Sequence, residues 1–75
     1  MTHVLVVDDE AAVRFALTEL LLDRGHDVTD VASGEAALPY LADVDVVVTD
    51  LMMPGMGGLE LLREVRRRAP GVPVI

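Results

Sequence analysis

Three aspartates are the residues of this chain best suited to chemistry: Asp8 and Asp9 are adjacent, and Asp50 lies far downstream. Each group comes directly after a short run of mainly aliphatic residues, at positions 4–7 and 46–49. Such runs, bounded by polar residues, are typical of strands buried on both faces of a parallel sheet. Ligands of open α/β sheets bind at the carboxyl ends of the strands. If these two strands are neighbours, the three carboxylates meet at that edge and form a small acidic pocket.

Converging carboxylates repel one another, so such a pocket needs a proton or a cation. At a separation of ~5 Å and an effective dielectric constant near 20, each ionised pair repels by roughly 3 kcal/mol. Either one carboxyl group keeps its proton or a cation binds. Oxygen ligands with no His or Cys nearby in sequence favour Mg²⁺, Ca²⁺ or Mn²⁺ over zinc or copper. A carboxylate beside such a metal can act as a nucleophile towards phosphorus and form an aspartyl phosphate.

The first cluster also has a simpler interpretation. Asp8, Asp9 and Glu10 precede a predicted helix, where acids stabilise the helix dipole, and the triplet alone favours neither interpretation. Asp50 after a second strand, followed at 51–57 by a loop rich in Met, Pro and Gly, favours the functional one.

The sequence around the acids predicts alternating strands and helices in one small α/β domain, which suits a length of 75 residues. This alternation predicts right-handed crossovers and a parallel sheet. The second strand is the most polar, which suits the edge of the sheet. The predicted strands are 4–7, 26–32, 45–49 and a fourth from 72, and the predicted helices are 10–24, 34–41 and 58–69.

Residues that stop or start helices set these boundaries. Gly25 is placed to cap the first helix in a left-handed conformation. Ser33 is placed to cap the amino terminus of the second helix. Pro39 falls inside that second helix and is expected to kink or shorten it.

Periodicity predicts which helix faces enter the core. In the first helix the apolar residues at 13, 16, 17, 20 and 21 follow helical spacing. In the third helix the predicted stripe is Leu62, Val65 and Ala69, with Leu59 and Leu61 at its flanks.

Composition limits the function classes. The formal net charge is -7, from 13 acids and 6 bases, which argues against direct nucleic-acid binding by this segment. All six bases are arginine, and the chain has neither lysine nor cysteine. No apolar run approaches the ~20 residues of a membrane span. These features predict a soluble, cytoplasmic domain that does not cross a membrane.

Two stretches carry a family resemblance. Val6-Val7-Asp8-Asp9-Glu10 and the run 50–58, Asp-Leu-Met-Met-Pro-Gly-Met-Gly-Gly, resemble the two signatures of the receiver domain of two-component response regulators. The resemblance implies a flavodoxin-like α/β fold with strand order 2-1-3-4-5. Residues 1–75 would be the N-terminal part of a single receiver domain, about three-fifths of it, with strands four onward incomplete or absent.

The resemblance also implies roles for individual residues. Asp50 would be the phosphoacceptor and would contact Mg²⁺. Asp9 would bind the metal directly, Asp8 mainly through water, and Met52 through its backbone carbonyl. The implied chemistry is transfer of a phosphoryl group from a phosphohistidine of a sensor histidine kinase to Asp50, followed by slow hydrolysis. Such a domain is a signalling module in transcription regulation rather than an enzyme with a separate substrate.

Two features of the family are absent from these 75 residues: a Ser or Thr at the end of the fourth strand and a Lys at the end of the fifth. We therefore expect weak Mg²⁺ binding and poor phosphorylation of this chain. An open strand edge and bare aliphatic surface predict a homo-oligomer. The alternatives are an inactive piece that acts only as a structural or self-assembling module and, less well supported, a metal-dependent phosphatase with an aspartyl nucleophile. The sequence pattern of those phosphatases is Asp-x-Asp after the first strand, whereas Asp8 and Asp9 are adjacent here.

Overall fold

A parallel sheet organises the chain, as shown by a computed structural model that describes residues 2–50 and 55–75. The strands are arranged in the order β2-β1-β3. The elements run β1 His3–Val7, α1 Ala11–Asp23, β2 Asp27–Val31, α2 Gly34–Ala37, a 3₁₀ helix Leu38–Asp43, β3 Val46–Thr49 and α3 Gly58–Arg68. The predicted α/β alternation is confirmed, and β2 lies at the edge of this sheet as expected.

Strand β1 is the central strand, because β2 and β3 pair with it on either side and both run parallel to it. Its apolar residues, Val4, Leu5, Val6 and Val7, are at most 3% exposed. A strand covered on both faces has no reason to alternate polar and apolar residues. The unbroken aliphatic run in the sequence is therefore explained by its central position.

The helices lie on opposite faces of the sheet. The chain passes from β1 to β2 in one direction and then returns across β1 to β3, so right-handed crossovers place α1 and α2 on different faces. The core lies on the face that α2 and α3 cover. It consists of Leu5, Val7, Ala37, Leu41, Val44, Val47, Leu61 and Val65.

Helix α1 covers the other face with a different stripe from the predicted one. Its partly buried residues are Arg14, Leu17, Thr18 and Leu21, and none of its residues is fully buried. Of the predicted stripe, only positions 17 and 21 turn towards the sheet, while Val13 and Leu20 are 39% and 50% exposed. The prediction is half wrong because this helix carries apolar residues on nearly all sides, so periodicity alone cannot select the inner face.

The end of α1 is closed as predicted by Gly25, whose φ is 86°. The amide of Gly25 donates to the Leu22 carbonyl at 3.0 Å, and that of His26 donates to the Leu21 carbonyl at 3.2 Å. This pair of bonds is the Schellman arrangement, which satisfies carbonyls at a helix end and needs a left-handed residue.

The second helical segment is short for the predicted reason. Ser33 Oγ accepts a hydrogen bond from the Ala36 amide at 3.1 Å and caps α2. After Ala37 the helix tightens into the 3₁₀ segment, with Pro39 in its first turn. Proline has no N–H for an α-helical bond, so the segment ends as an α-helix there.

Helix α3 faces the core with Gly58, Leu61 and Val65, which are its buried residues. The predicted stripe is therefore displaced: Leu61 is fully buried rather than flanking, and Leu59 is 63% exposed. Two adjacent leucines at 61 and 62 fit either face by spacing, and packing into the core cluster selects the first.

A fourth strand begins beside β3. Val74 forms a parallel bridge with Val47. The Val47 amide donates to the Pro73 carbonyl at 3.0 Å, and the Ile75 amide donates to the Val47 carbonyl at 2.8 Å. The strand order is therefore the start of the expected 2-1-3-4 arrangement. Among the described residues, no helix is long and apolar enough to span a bilayer.

Candidate functional site

The register of the sheet places the acids together. Val7 of β1 lies opposite Thr49 of β3, so the residues that follow them, Asp8 and Asp50, leave the sheet at the same level. The Asp50 amide donates to the Val7 carbonyl at 3.2 Å, which continues the ladder to the last residue before the loop. The edge at the carboxyl ends of the strands is the one predicted from the sequence.

The three aspartates form one cluster there. A carboxylate oxygen from each of Asp8, Asp9 and Asp50 lies within 4.8 Å of the others. Asp8 is 7% exposed and is the buried member, whereas Asp9 is exposed. At this spacing an ionised pair repels by about 3 kcal/mol at an effective dielectric near 20. The three carboxylates therefore converge at one edge of the sheet, as predicted.

This donor set fits a hard divalent cation. Three carboxylates provide only oxygen ligands, and no His or Cys takes part in the cluster. Oxygen donors of this kind suit Mg²⁺ or Ca²⁺. Bound positive charge would offset the mutual repulsion that the fold imposes on these side chains.

A turn between β1 and α1 orients the first two acids. The Asp8 carboxylate accepts a hydrogen bond through Oδ1 from the Glu10 amide at 2.9 Å. Glu10 is the N-cap residue of α1 in an extended conformation, and its own side chain makes no capping bond. Asp8 thus shapes the turn that carries Asp9, in the manner of an Asx turn.

Arg14 supports the same turn, and the sequence analysis did not single it out. Its Nη1 donates to the backbone carbonyl of Asp8 at 2.9 Å. Its Nε donates to Oδ2 of Asp30 in β2 at 3.0 Å. No local spacing links residues 14 and 30, so only the fold reveals this pair.

The loop after Asp50 is supported from α2. The Glu35 carboxylate accepts a hydrogen bond from the Met56 amide at 3.0 Å. Gly55 has a φ of 73°, a left-handed conformation that suits glycine. The predicted ligand at Met52 lies outside the described residues. The sequence signal that could have pointed to Glu35 is its place as the acid in the first turn of α2.

Comparison with known proteins decides the family. The family model of the response regulator receiver domain matches residues 4–75. The chain belongs to this family. As a receiver domain of two-component response regulators, it is a signalling domain. Family membership leaves the phosphatase alternative without support.

A relative and three solved structures illustrate the match. The receiver is 47% identical over 74 residues to the response regulator protein FleR of Pseudomonas aeruginosa, covering 96% of this chain and 16% of FleR. A receiver domain protein from Clostridium thermocellum has a TM-score of 0.93 at 31% identity, covering 99% of this chain and 62% of that one. The flavodoxin-like fold expected from the sequence is thereby confirmed.

The other two solved structures are complexes of TrrA of Thermotoga maritima. In complex with Mg²⁺-BeF, TrrA has a TM-score of 0.92 at 36% identity, covering 99% of this chain and 66% of TrrA. TrrA is also described in complex with the histidine kinase ThkA, with a TM-score of 0.89. The receiver chain thus spans about two-thirds of TrrA and a much smaller share of FleR.

Proposed function

We propose that Asp50 accepts a phosphoryl group from a phosphohistidine of a sensor histidine kinase, and that Asp8, Asp9 and Asp50 hold Mg²⁺ for this transfer. The observation that carries the proposal is the convergence of the three carboxylates within 4.8 Å at the carboxyl edge of the sheet. The Mg²⁺-BeF complex of TrrA supports the metal, and the TrrA–ThkA complex supports the kinase as the partner.

Each aspartate has a part in this proposal. An oxygen of Asp50 forms the new O–P bond while the P–N bond to the kinase histidine breaks, and the imidazole nitrogen keeps the electron pair and takes a proton from solvent. Asp9, which is exposed, is placed to bind the metal directly. Asp8 is buried with Oδ1 committed to the Glu10 amide, which suits a contact mainly through water. The backbone carbonyl of Met52 completes the proposed ligands.

The proposed metal would neutralise charge between an anionic nucleophile and an anionic phosphoryl group. The chain's own residues do the rest. The turn at 8–10 and the loop end at 55–56 keep the acids in place, through Asp8 and Glu35 respectively. A preorganised cluster needs no rearrangement when charge develops, which is the main source of such catalysis.

We further propose that these 75 residues bind Mg²⁺ weakly and are phosphorylated poorly on their own. The chain contains no lysine, so no lysine ammonium group is present to pair with phosphoryl oxygens. The proposed domain assignment is the N-terminal part of a single receiver domain. The proposed location is the cytoplasm, where ATP supplies the phosphoryl group of the kinase phosphohistidine.

The test combines Mg²⁺ with phosphoramidate, a small-molecule donor that carries a P–N bond, and detects the product by mass spectrometry. We expect substoichiometric incorporation that needs Mg²⁺ and disappears in Asp50→Asn. Incorporation that persists in Asp50→Asn would refute Asp50 as the acceptor. Stoichiometric incorporation into the parent chain would refute its proposed weakness. Glu60→Gln is a matched control, because it also removes one carboxylate, from an exposed acid that is not a member of the cluster.

A second candidate is a self-assembling module, and the surface of α1 favours it. Phe15, Leu20 and Leu22 are 67%, 50% and 49% exposed on this helix. Exposed apolar residues grouped on one element are typical of interaction sites. We propose that α1 takes part in a homo-oligomer. Sedimentation velocity should show association that Phe15→Asp reduces, and a well-folded monomer at all concentrations would refute it.

A further inference from the structure

Arg14 joins three elements next to the acidic cluster. It belongs to α1, and its guanidinium donates to the Asp8 carbonyl at the end of β1 and to the Asp30 carboxylate on β2. The Arg14 side chain is 21% exposed, so most of it is shielded from water. A planar guanidinium can make two such bonds in fixed directions, which a lysine cannot reproduce.

The bond to Asp8 fixes a particular peptide. The Asp8 carbonyl belongs to the peptide plane between Asp8 and Asp9, so holding its oxygen also fixes the direction of the Asp9 amide and main chain. The same short segment contains the bond from the Glu10 amide to Asp8 Oδ1. The guanidinium and the Asx turn therefore constrain this segment from two sides.

We propose that Arg14 is a positioning residue for the acidic cluster, with Asp30 holding its guanidinium in the required orientation. Arg14 keeps the Asp8–Asp9 peptide in the orientation that directs both side chains towards Asp50. It acts through the backbone and does not touch the phosphoryl group. The effect on metal binding rests on the proposed Mg²⁺ site, whereas the effect on the turn does not.

A purely electrostatic role of Arg14 and a positioning role predict opposite changes in Mg²⁺ affinity when Arg14 is replaced. If Arg14 acted only as a nearby positive charge, its removal would make the pocket more negative and Mg²⁺ would bind more tightly. If Arg14 positions the cluster, its removal loosens the ligands and Mg²⁺ binds more weakly. Loss of residues that orient metal ligands typically weakens metal binding about ten-fold or more. The sign of the change therefore separates the two roles.

The variants are Arg14→Met and Arg14→Lys. Methionine has a similar length without charge or hydrogen-bond donors, and lysine keeps the charge but not the planar guanidinium. Asp30→Asn tests the orienting partner and leaves Arg14 in place. Arg24→Met is the matched control, because Arg24 lies at the other end of the same helix. All four are compared with the parent chain by NMR.

The first measurement uses metal-free protein and follows amide hydrogen exchange at residue 10, whose amide donates to Asp8 Oδ1. We expect exchange in Arg14→Met to be about ten-fold faster there, the factor expected from losing a charge-assisted hydrogen bond. Amides of β1 serve as the internal reference for global stability. Arg14→Lys and Asp30→Asn should show smaller increases, and Arg24→Met none. If Arg14→Met does not fold, the exchange rates of Asp30→Asn are compared with those of the parent chain instead.

The second measurement is an NMR titration with Mg²⁺. We expect Arg14→Met to raise the dissociation constant about ten-fold. Tighter binding in Arg14→Met, or unchanged exchange at residue 10 in both Arg14→Met and Asp30→Asn, would overturn the positioning role. If the parent chain itself binds no Mg²⁺, the proposed metal site fails, and the exchange measurement still decides the role of Arg14.

Discussion

Gly34, the first residue of α2, lies against the loop that follows Asp50, and its replacement by alanine is the most direct test of that contact. A Cβ at position 34 would lie 2.8 Å from the Met56 carbonyl oxygen and 2.9 Å from Met56 Cγ. The Met56 side chain can rotate away, but its backbone oxygen cannot move without displacing the loop. The same loop end is held by the bond between Glu35 and the Met56 amide.

The expected cost follows from two opposing terms. Extra volume in a packed contact typically destabilises by about 1–3 kcal/mol. Replacing glycine by alanine also restricts the unfolded chain, which stabilises by about 0.4–1 kcal/mol. We therefore expect Gly34→Ala to lower the free energy of unfolding by about 1–2 kcal/mol. The same displacement should weaken the bond from the Met56 amide to Glu35.

Urea unfolding measured by circular dichroism provides the assay, with Gly71→Ala as control. Nothing lies within 4 Å of a Cβ built at Gly71. With a urea dependence of about 1 kcal/mol per M, Gly34→Ala should lower the midpoint by about 1–2 M, while Gly71→Ala should leave it unchanged or raise it. If Gly34→Ala were as stable as Gly71→Ala, the close approach of α2 to the loop would be refuted.

Three further predictions concern the scaffold. Gly25→Ala should cost about 1 kcal/mol in urea unfolding, because its φ of 86° is left-handed, and Gly25→Asn should cost less. Leu61→Ala should destabilise by about 2–5 kcal/mol, since Leu61 is fully buried; a smaller loss than in the exposed variant Leu59→Ala would contradict its place in the core. The hydrogen bond from Arg67, with the charges of Arg67 and Arg68, lowers the pKa of Glu64. The small contribution of ionised Glu64 to folding stability is therefore present above its unfolded-state pKa. It is lost as pH falls through the lower folded-state pKa. The difference in Tm between parent and Glu64→Gln should accordingly shrink on acidification.

The sequence was sufficient for the sheet and for the grouping of the acids. Central strands covered on both faces require unbroken apolar runs, so 4–7 and 46–49 could be recognised without any structure. Because these two strands are parallel neighbours, Asp8 and Asp50 leave the sheet at the same edge. The caps at Gly25 and Ser33 were also predictable, because left-handed glycine and N-cap serine satisfy helix ends locally.

The inner faces of α1 and α3 were harder to predict. Helix α1 contains apolar residues on nearly all sides, whereas in α3 the adjacent Leu61 and Leu62 fit two different stripes. Tertiary packing then selects Leu17 and Leu21 in α1 and Leu61 in α3. Exposed apolar residues within the predicted stripe, such as Leu20, carry no local signal that distinguishes them from core residues.

The supports of the acidic cluster could not be predicted from sequence, because each joins elements that are distant along the chain. Arg14 reaches Asp30 on β2, and Glu35 reaches the Met56 amide beyond β3. These contacts come from helices on opposite faces of the sheet. The register of the strands brings the carboxylates together, but α1 and α2 determine how firmly the turn and the loop present them. Variants at these supports should therefore change the proposed metal site more than overall stability, whereas core variants such as Leu61→Ala should do the reverse.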